Sequence, residues 1–437
     1  MKRRVIRYNP MKIALLCLPL ALATAQAEGP VQERVQTVTG TPGLVAFWDF
    51  VKRERGEGGR FTAHVPKGAI NDYPLDAGNY VRDFWGEGRE ATYDDFPLLG
   101  RGPFGEAILI RKEEDENFRP FLYVPRERFH DSSLDIKGAD RSLTVVVWAI
   151  RQSGGHALAG IWHEGTDLKK EAGDGIRKIV SGQRQYGLFA GNNITGTACA
   201  HLSENGAGSF LNRFAMHKSN SVDLSPVVPA NSPAELLDTS WQCFAMTFNH
   251  ETDELTSWLN GRSGDRWFDN PKENQSLAHA YNAWKQGHFH REPGLQEGED
   301  VEYPRDQYYN PPEDEPVSIK LISEQDKEKV ELHEFGYTRV QFVYRKNGKG
   351  QWEVVDRDLI GLRLNPWWYP HSIYKPADES SGGPFTIGRA IHSARTVGFT
   401  GWIGGVAVFD RALTPEELAA LTAVVLPPTQ LPARRAD

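Results

Sequence analysis

The sequence predicts an all-β fold, a sandwich of two antiparallel sheets with long loop insertions and a short C-terminal helix. Residues 142–150 are nearly continuous β-branched and apolar residues, which is typical of a strand buried on both faces. Residues 240–249 and 254–259 are β-forming runs joined by a short polar turn, which predicts a hairpin. Residues 398–421 predict one strand followed by one helix.

The segment 398–421 carries the clearest local signals in the chain. Thr414 is suited to cap a helix, and Pro415 is favoured at the first helical position. Two glutamates follow in the first turn, where the helix dipole favours negative charge. Leu418 and Leu421 then fall on one face. We therefore expect this helix to dock back onto the sheet.

Shorter apolar and aromatic runs predict the remaining strands of the sandwich. These runs lie at 43–50, 102–110, 121–125, 157–162, 185–190 and 385–389. A further hairpin is predicted from residues 338–344 and 351–355, because an Asn-Gly turn separates the two runs.

The order of these runs resembles the laminin G-like, concanavalin A-like jelly-roll domains. In that family the closing strand and helix follow the pattern f-x-G-x-I-d-x-v-x-v-f-x-r-a-L-t-x-e-E-i, and the middle hairpin reads W-x-x-f-a-x-t-f-n with W-L-N-G. The chain departs from the family at Gly405, where an acidic residue is common. The resemblance implies a secreted bacterial jelly roll and says little about the ligand. It extends over residues 43–50, 102–125, 141–190, 240–261 and 384–421.

The resemblance implies a single jelly-roll domain at 28–425. An insertion at 262–384 interrupts the family pattern after the middle hairpin. Its first part, 262–316, is aromatic, acidic and rich in proline without periodicity, so we expect an ordered lid-like loop that packs on the sandwich. Residues 426–437 are expected to form a disordered tail.

Charge excludes some classes of partner. The formal net charge is −8, which argues against nucleic acid and anionic membrane surfaces as partners. An acidic polysaccharide would therefore need a local basic patch. We find neither the Glu-x-Asp-x-x-Glu signature of jelly-roll glucanases nor a Gly-x-Ser-x-Gly nucleophile elbow in the sequence.

The N-terminus predicts export. Residues 1–27 resemble a secretory signal peptide, with a basic start, an apolar run at 13–22 and small residues at the cleavage site 25–27. We therefore expect a secreted or periplasmic protein with no transmembrane anchor. Cys199 and Cys243 would be the cysteines of the mature chain, and the sequence leaves open whether they form a disulfide.

A run of aromatic residues at 367–371 is the first candidate ligand site. Trp367 and Trp368 are candidate ligand-binding residues, because aromatic faces stack on the apolar faces of sugar rings. Tyr369 and His371 are candidate catalytic residues that could transfer protons. The alternative is that these rings anchor their loop in the core.

A second candidate group surrounds two neighbouring predicted strands. Trp162 and His163 end one strand, and Arg184 and Tyr186 lie at the start of the next. We expect them to share a cleft with the loop 365–375. Trp162 would stack on a sugar, His163 and Tyr186 would transfer protons, and Arg184 would supply a cation for an acidic sugar. The alternative is that they lie on separate rims and serve packing only.

The sequence leaves the metal and cofactor content open. His288 and His290 would share one face of a strand, an arrangement that suits a metal, but their flanks are typical of a loop. The family resemblance would admit calcium.

Three functional hypotheses follow. The first is a secreted protein that binds a polysaccharide or other glycan. The second is a polysaccharide lyase on the same fold, acting on a uronate-containing glycan by β-elimination; such an enzyme needs a cation near the carboxylate and a base for the C5 proton. The third is an adhesion module that binds protein. The sequence leaves open whether the chain is an enzyme, and if it is one it favours a lyase over a glycoside hydrolase.

Overall fold

A computed structural model describes most of the chain. The described residues are 18–56, 58–154, 156–163, 183–191, 195–204, 206, 216–263, 267–273, 281, 284–285, 313, 315–363, 372–391 and 398–426.

The described part of the chain is dominated by β-strands. The strands are β1 (Leu44–Trp48), β2 (Asp76–Asn79), β3 (Ile108–Ile110), β4 (Pro120–Val124), β5 (Leu143–Arg151), β6 (Ala157–His163), β7 (Gln183–Phe189), β8 (Cys199–Ser203), β9 (Met216–Asn220), β10 (Gln242–Asn249), β11 (Glu254–Leu259), β12 (Arg262–Ser263), β13 (Trp267–Asp269), β14 (Ser318–Glu324), β15 (Glu328–Glu334), β16 (Thr338–Lys346), β17 (Trp352–Arg363), β18 (Phe385–Ile387) and β19 (Gly401–Phe409). The helices are α1 (Leu18–Thr39), α2 (Tyr80–Trp85), α3 (Arg126–Phe129), α4 (Ala234–Asp238) and α5 (Pro415–Ala423).

The strands form three antiparallel sheets. The first sheet has the order β1-β19-β5-β10-β11-β12, and β3 also pairs with β19. The second has the order β2-β4-β18-β6-β7-β8-β9, and the third has the order β13-β17-β16-β15-β14. The first two sheets pack face to face, because one apolar cluster takes side chains from both. The predicted all-β sandwich is confirmed.

The chain termini of the sandwich meet in the first sheet. Strand β19 lies between β1 and β5, and Val406 is opposite Trp48 on one side and Val147 on the other. All nine residues of β5 are buried, as its continuous apolar run predicts. The closing strand thus pairs directly with the N-terminal strand of the sandwich.

Helices cover the outer face of the first sheet. The buried Trp148 ring on β5 lies in an apolar cluster with Leu418 and Leu421 of α5 and with Val38 of α1. Trp148 Nε1 donates a hydrogen bond to the carbonyl oxygen of Leu421 at 3.0 Å. The docking predicted for α5 is therefore observed. The sequence analysis predicted no helix for residues 28–39, which belong to α1.

The N-terminal cap of α5 also follows the sequence. The Glu417 backbone N–H donates to Thr414 Oγ1 at 3.3 Å, and the Thr414 N–H donates to Glu417 Oε2 at 2.9 Å. Arg411 pairs with the same glutamate, and its Nε donates to the carbonyl of Pro42 just before β1. This arginine thus fastens the closing turn to the start of the sandwich.

The third sheet lies within the predicted insertion at 262–384. The sequence predicts one hairpin there, and the structure shows it as β16 and β17 within a five-stranded sheet. The other strands were missed because their residues are mostly exposed or half-buried, so they lack a strong apolar signal. Most of the predicted lid at 262–316 and the predicted tail lie outside the described residues. The domain assignment therefore stays a prediction.

The approach of β19 to β5 gives a test of the fold. Gly401 begins β19 with φ 144°, and a β-carbon there would collide with the carbonyl oxygen of Ile150. We expect Gly401→Ala to lower the free energy of unfolding by more than about 1 kcal/mol. Gly348→Ala is the matched control, because nothing lies within 4 Å of the added methyl group. Equal urea midpoints for the two variants would contradict this packing.

Candidate functional site

The candidate site lies on the outer face of the second sheet. Adjacent strands place Gly160, Gly187 and His201 opposite one another in one row across β6, β7 and β8. Residues paired in this way point to the same face of a sheet. Trp162 is opposite Arg184 at the end of β6, next to a bulge in the ladder.

Four side chains form what we call the aromatic–histidine cluster: Trp162, Phe189, Cys199 and His201. The His201 ring lies 5.2 Å from the Trp162 ring and 4.6 Å from the Phe189 ring, between centroids. Its Nε2 is 3.5 Å from Cys199 Sγ. All four side chains are buried, with exposed fractions of 4% for Trp162 and 1% for His201. This face therefore combines two aromatic rings, an imidazole and a thiol.

His163 and Arg184 flank the cluster at the same end of the sheet. His163 is the last residue of β6, pairs with Gln183 and is buried. Arg184 is buried too, and its Nη1 donates to the carbonyl oxygen of Gly206 at 3.3 Å. Trp162, His163 and Arg184 lie at adjoining strand ends. Arg184 pairs with Trp162 and so shares its face, whereas His163 follows Trp162 along β6 and points to the other face. The cleft that these residues were expected to share stays a prediction.

The structure corrects the expected position of Tyr186. It pairs with Ile161 and Leu202, and its side chain belongs to the apolar core between the sheets. Its hydroxyl donates to the carbonyl oxygen of Leu134 at 3.3 Å, and burial raises the pKa of that hydroxyl far above its ordinary value. Because Trp162 follows Ile161, it points to the opposite face of the sheet. The expected shared cleft is wrong for Tyr186, which is not placed to act as a base.

The aromatic residues Trp367, Trp368, Tyr369 and His371 lie outside the described residues. The chain that follows them is anchored at the second sheet. The Tyr374 backbone N–H donates to the carbonyl oxygen of Ser203 at 2.8 Å, at the end of β8.

A buried ion network near His163 was missed by the sequence analysis. Arg126 Nη2 lies 2.7 Å from Asp135 Oδ1, and Arg126 Nη1 donates to Gln185 Oε1 at 3.0 Å. The Arg126 and Asp135 side chains are 6% and 0% exposed. Gly382 packs against Arg126 and Gly383 packs against His163. The sequence analysis missed this network because its residues match no short motif and Gln185 is far from Arg126 and Asp135 in the sequence.

One group of potential metal ligands occurs among the described residues: His130, Asp131 and Asp135. The Lys137 ammonium pairs with both carboxylates, at 2.7 Å from Asp131 Oδ1. The acidic groups therefore have a cation of their own. His288 and His290 lie outside the described residues, so the metal content stays open.

The two cysteines that the structure describes are free thiols. Cys199 is in the aromatic–histidine cluster on the second sheet, and Cys243 is in the apolar cluster under α5 on the first sheet. They lie on opposite outer faces of the sandwich, which answers the open question about a disulfide. Burial raises the pKa of the Cys243 thiol to about 12, so it is un-ionised at neutral pH.

Two comparisons of the sequence with known proteins found no match. No family model matches the chain, so the laminin G-like resemblance stays a prediction. No curated protein matches it. Among the described residues, no helix combines the length and apolar content needed to cross a membrane.

Similar solved structures include several β-sandwich domains that bind sugars. Domain 4 of AbnA, a GH43 extracellular arabinanase from Geobacillus stearothermophilus in complex with arabinotriose, is 9% identical over 87% of this chain and 98% of its own, with a TM-score of 0.36. The CBM40 of Ruminococcus gnavus IT-sialidase, bound to α2,3-sialyllactose, is 10% identical over 65% of this chain and 84% of its own, with a TM-score of 0.27. The ligand-binding domain of botulinum neurotoxin serotype D, in complex with N-acetylneuraminic acid, is 6% identical with a TM-score of 0.33. This last match covers 89% of this chain and 52% of the other chain. Similarity at this level carries no argument about the ligand of this chain.

The buried ion pair gives a test of how this end of the sheet is held. Asp135→Asn leaves the Arg126 charge uncompensated in a buried setting, so we expect it to lower the free energy of unfolding by about 3–5 kcal/mol. Asp131→Asn is the matched control. Asp131 also forms an ion pair with Lys137, as Asp135 does, but its side chain is 69% exposed. Its expected loss is below about 1 kcal/mol. Similar thermal unfolding of both variants would show that the Arg126–Asp135 pair has no special role.

Proposed function

We propose that the chain binds a polysaccharide on the outer face of the second sheet. The observation that carries the proposal is the aromatic–histidine cluster on this face, flanked by Arg184. The outer face of the first sheet is covered by helices instead. Aromatic rings with a few convergent polar groups are the usual lining of a sugar site.

The cluster itself is buried, so we assign it to the floor of the site. Direct contacts to sugar are assigned to Trp367, Trp368, Tyr369 and His371. Tyr374, which follows this segment in the sequence, is held at the end of β8 by its backbone hydrogen bond to Ser203.

A polysaccharide lyase is the second candidate function, because Arg184 places a cation beside Trp162 on this face. In that reaction Arg184 would neutralise the uronate carboxylate. His371 would take the C5 proton, and the electron pair of the broken C–H bond would expel the glycosidic oxygen at C4. His163, sequence-predicted for this step, points to the other face of the sheet. Tyr186 has no part in this scheme, since it lies in the core.

Binding of a panel of neutral and uronate polysaccharides by the purified chain tests the proposal. We expect Trp368→Ala and His371→Ala to weaken binding about tenfold each, the effect of losing a contact worth ~1.4 kcal/mol. Trp258→Ala on the first sheet, where the ring is partly buried, is the matched control. If Trp258→Ala abolished binding while the other two variants bound normally, the ligand would lie on the first sheet and the proposal would be wrong.

The same panel separates binding from lyase activity. A lyase would release an unsaturated product, seen as rising ultraviolet absorbance, and His371→Ala would abolish the signal. Binding with no such product would reject the lyase and keep the glycan-binding function.

We also propose that the protein is exported after removal of residues 1–27. Helix α1 continues across the predicted cleavage site, and its far end carries the buried Val38 into the apolar cluster of the first sheet. Cleavage would therefore leave the docked part of α1 in place. The intact mass of the exported protein should correspond to a chain that starts at Glu28. A mass that retains residues 1–27 would refute cleavage at this site.

A further inference from the structure

One face of the third sheet carries a row of aromatic rings. The His333 ring on β15 lies 4.3 Å from the Phe342 ring on β16, and the Phe342 ring lies 6.1 Å from that of Tyr344, between centroids. Trp352, at the start of β17, continues the row. The Lys329 ammonium lies over both the Tyr344 and the Trp352 rings, at 4.5 Å and 5.7 Å from their centroids. These contacts place the four rings and Lys329 on one side of the sheet, which we call the aromatic face.

The opposite face of the same sheet is charged instead. Arg339 pairs with Glu334 at 2.7 Å, and Arg345 pairs with Glu328 at 3.1 Å. Ion pairs of this kind are ordinary on a sheet face that meets water, and they need no ligand to explain them. The aromatic rings of β15, β16 and the start of β17 are thus gathered on one side of the sheet.

The aromatic face is covered at one end and open at the other. At the covered end, the Arg357 guanidinium lies 5.6 Å from the ring centroid of Trp284, which is fully buried. At the open end, Tyr344 and Trp352 are only half-buried. Val354, which is opposite Tyr344 on β17, is 44% exposed. Neighbouring aromatic and apolar side chains that stay open to solvent mark a binding surface.

Polar groups surround the open rings. The Glu331 carboxylate lies 2.7 Å from the Lys329 ammonium. Burial raises the pKa of the Tyr344 hydroxyl to about 12, so this hydroxyl keeps its proton at neutral pH. Lys346 is exposed, and its ammonium lies 4.8 Å from the Trp352 ring centroid. Within the described part of the chain, the Lys346 ammonium pairs with no carboxylate. The open end therefore offers two rings, hydrogen-bonding groups and a cation without an anionic partner.

We propose that the open end of the aromatic face binds an anionic oligosaccharide, with sugar rings stacked on Tyr344 and Trp352 and a carboxylate or sulfate paired with Lys346. Aromatic rings pack against the apolar faces of sugars, and the polar groups around them hydrogen-bond to sugar hydroxyls. Lys346 can accept the anion of the ligand without giving up an ion pair. Because the chain has a formal net charge of −8, attraction of an anion has to come from local cations of this kind. This site is separate from the second sheet and does not rest on the glycan binding proposed there.

Calorimetric titration of the full chain tests the site, with tetragalacturonate as a carboxylated ligand and a carrageenan tetrasaccharide as a sulfated one. Every protein in the series carries Trp368→Ala, so that the contact proposed at the second sheet does not contribute. We expect binding of at least one of the two ligands. Trp352→Ala and Lys346→Gln should each weaken it about tenfold, the effect of losing a contact worth ~1.4 kcal/mol. Trp352→Phe should bind more tightly than Trp352→Ala, because it keeps an aromatic ring.

Arg345→Gln is the matched control. It removes a positive charge from the residue next to Lys346, but Arg345 lies on the opposite face, where it pairs with Glu328. It should leave the affinity unchanged, and circular dichroism should show the same fold for every variant. Equal weakening by Arg345→Gln and Lys346→Gln would overturn the proposal, and so would an absence of binding to both ligands. Binding to vesicles of phosphatidylglycerol, with no binding to either oligosaccharide, would assign the aromatic face to a membrane surface instead.

Discussion

The structure depends on the position of β19, which must pair with β1 on one side and β5 on the other. Both partners are far from β19 in the sequence, so the first sheet is complete only when this last strand enters it. Gly401 is needed at the start of β19 because a β-carbon would collide with the backbone of β5. Closing the sheet in this way removes two unpaired edges that would otherwise attract other strands.

The same closure makes the two outer faces of the sandwich different. The chain leaves β19 through a turn fastened by Arg411, and α5 then lies against Trp148 on the outer face of the first sheet. The outer face of the second sheet instead carries the aromatic–histidine cluster, with Arg184 at its end. It is on this second outer face that glycan binding is proposed.

Much of the sandwich was predictable, because its signals are local. The continuous β-branched run of β5 and the Thr414–Glu417 cap both act through residues close in sequence. The face of Tyr186 was not predictable. The bulge between Ile161 and Trp162 sets which side chains share a face, and a shift of one residue reverses every side chain. The third sheet was hard to predict for a different reason. Its strands are exposed or half-buried, so their sequences lack the apolar pattern that burial creates.

We propose that the second sheet, and not the first, carries the ligand. Hydrogen–deuterium exchange of the full chain, with and without a polysaccharide selected from the binding panel, tests this placement most directly. We expect slower exchange in β6, β7 and β8 when the polysaccharide is bound, and unchanged exchange in β10, β11 and α5. Protection confined to β10, β11 and α5, or to the third sheet, would contradict it.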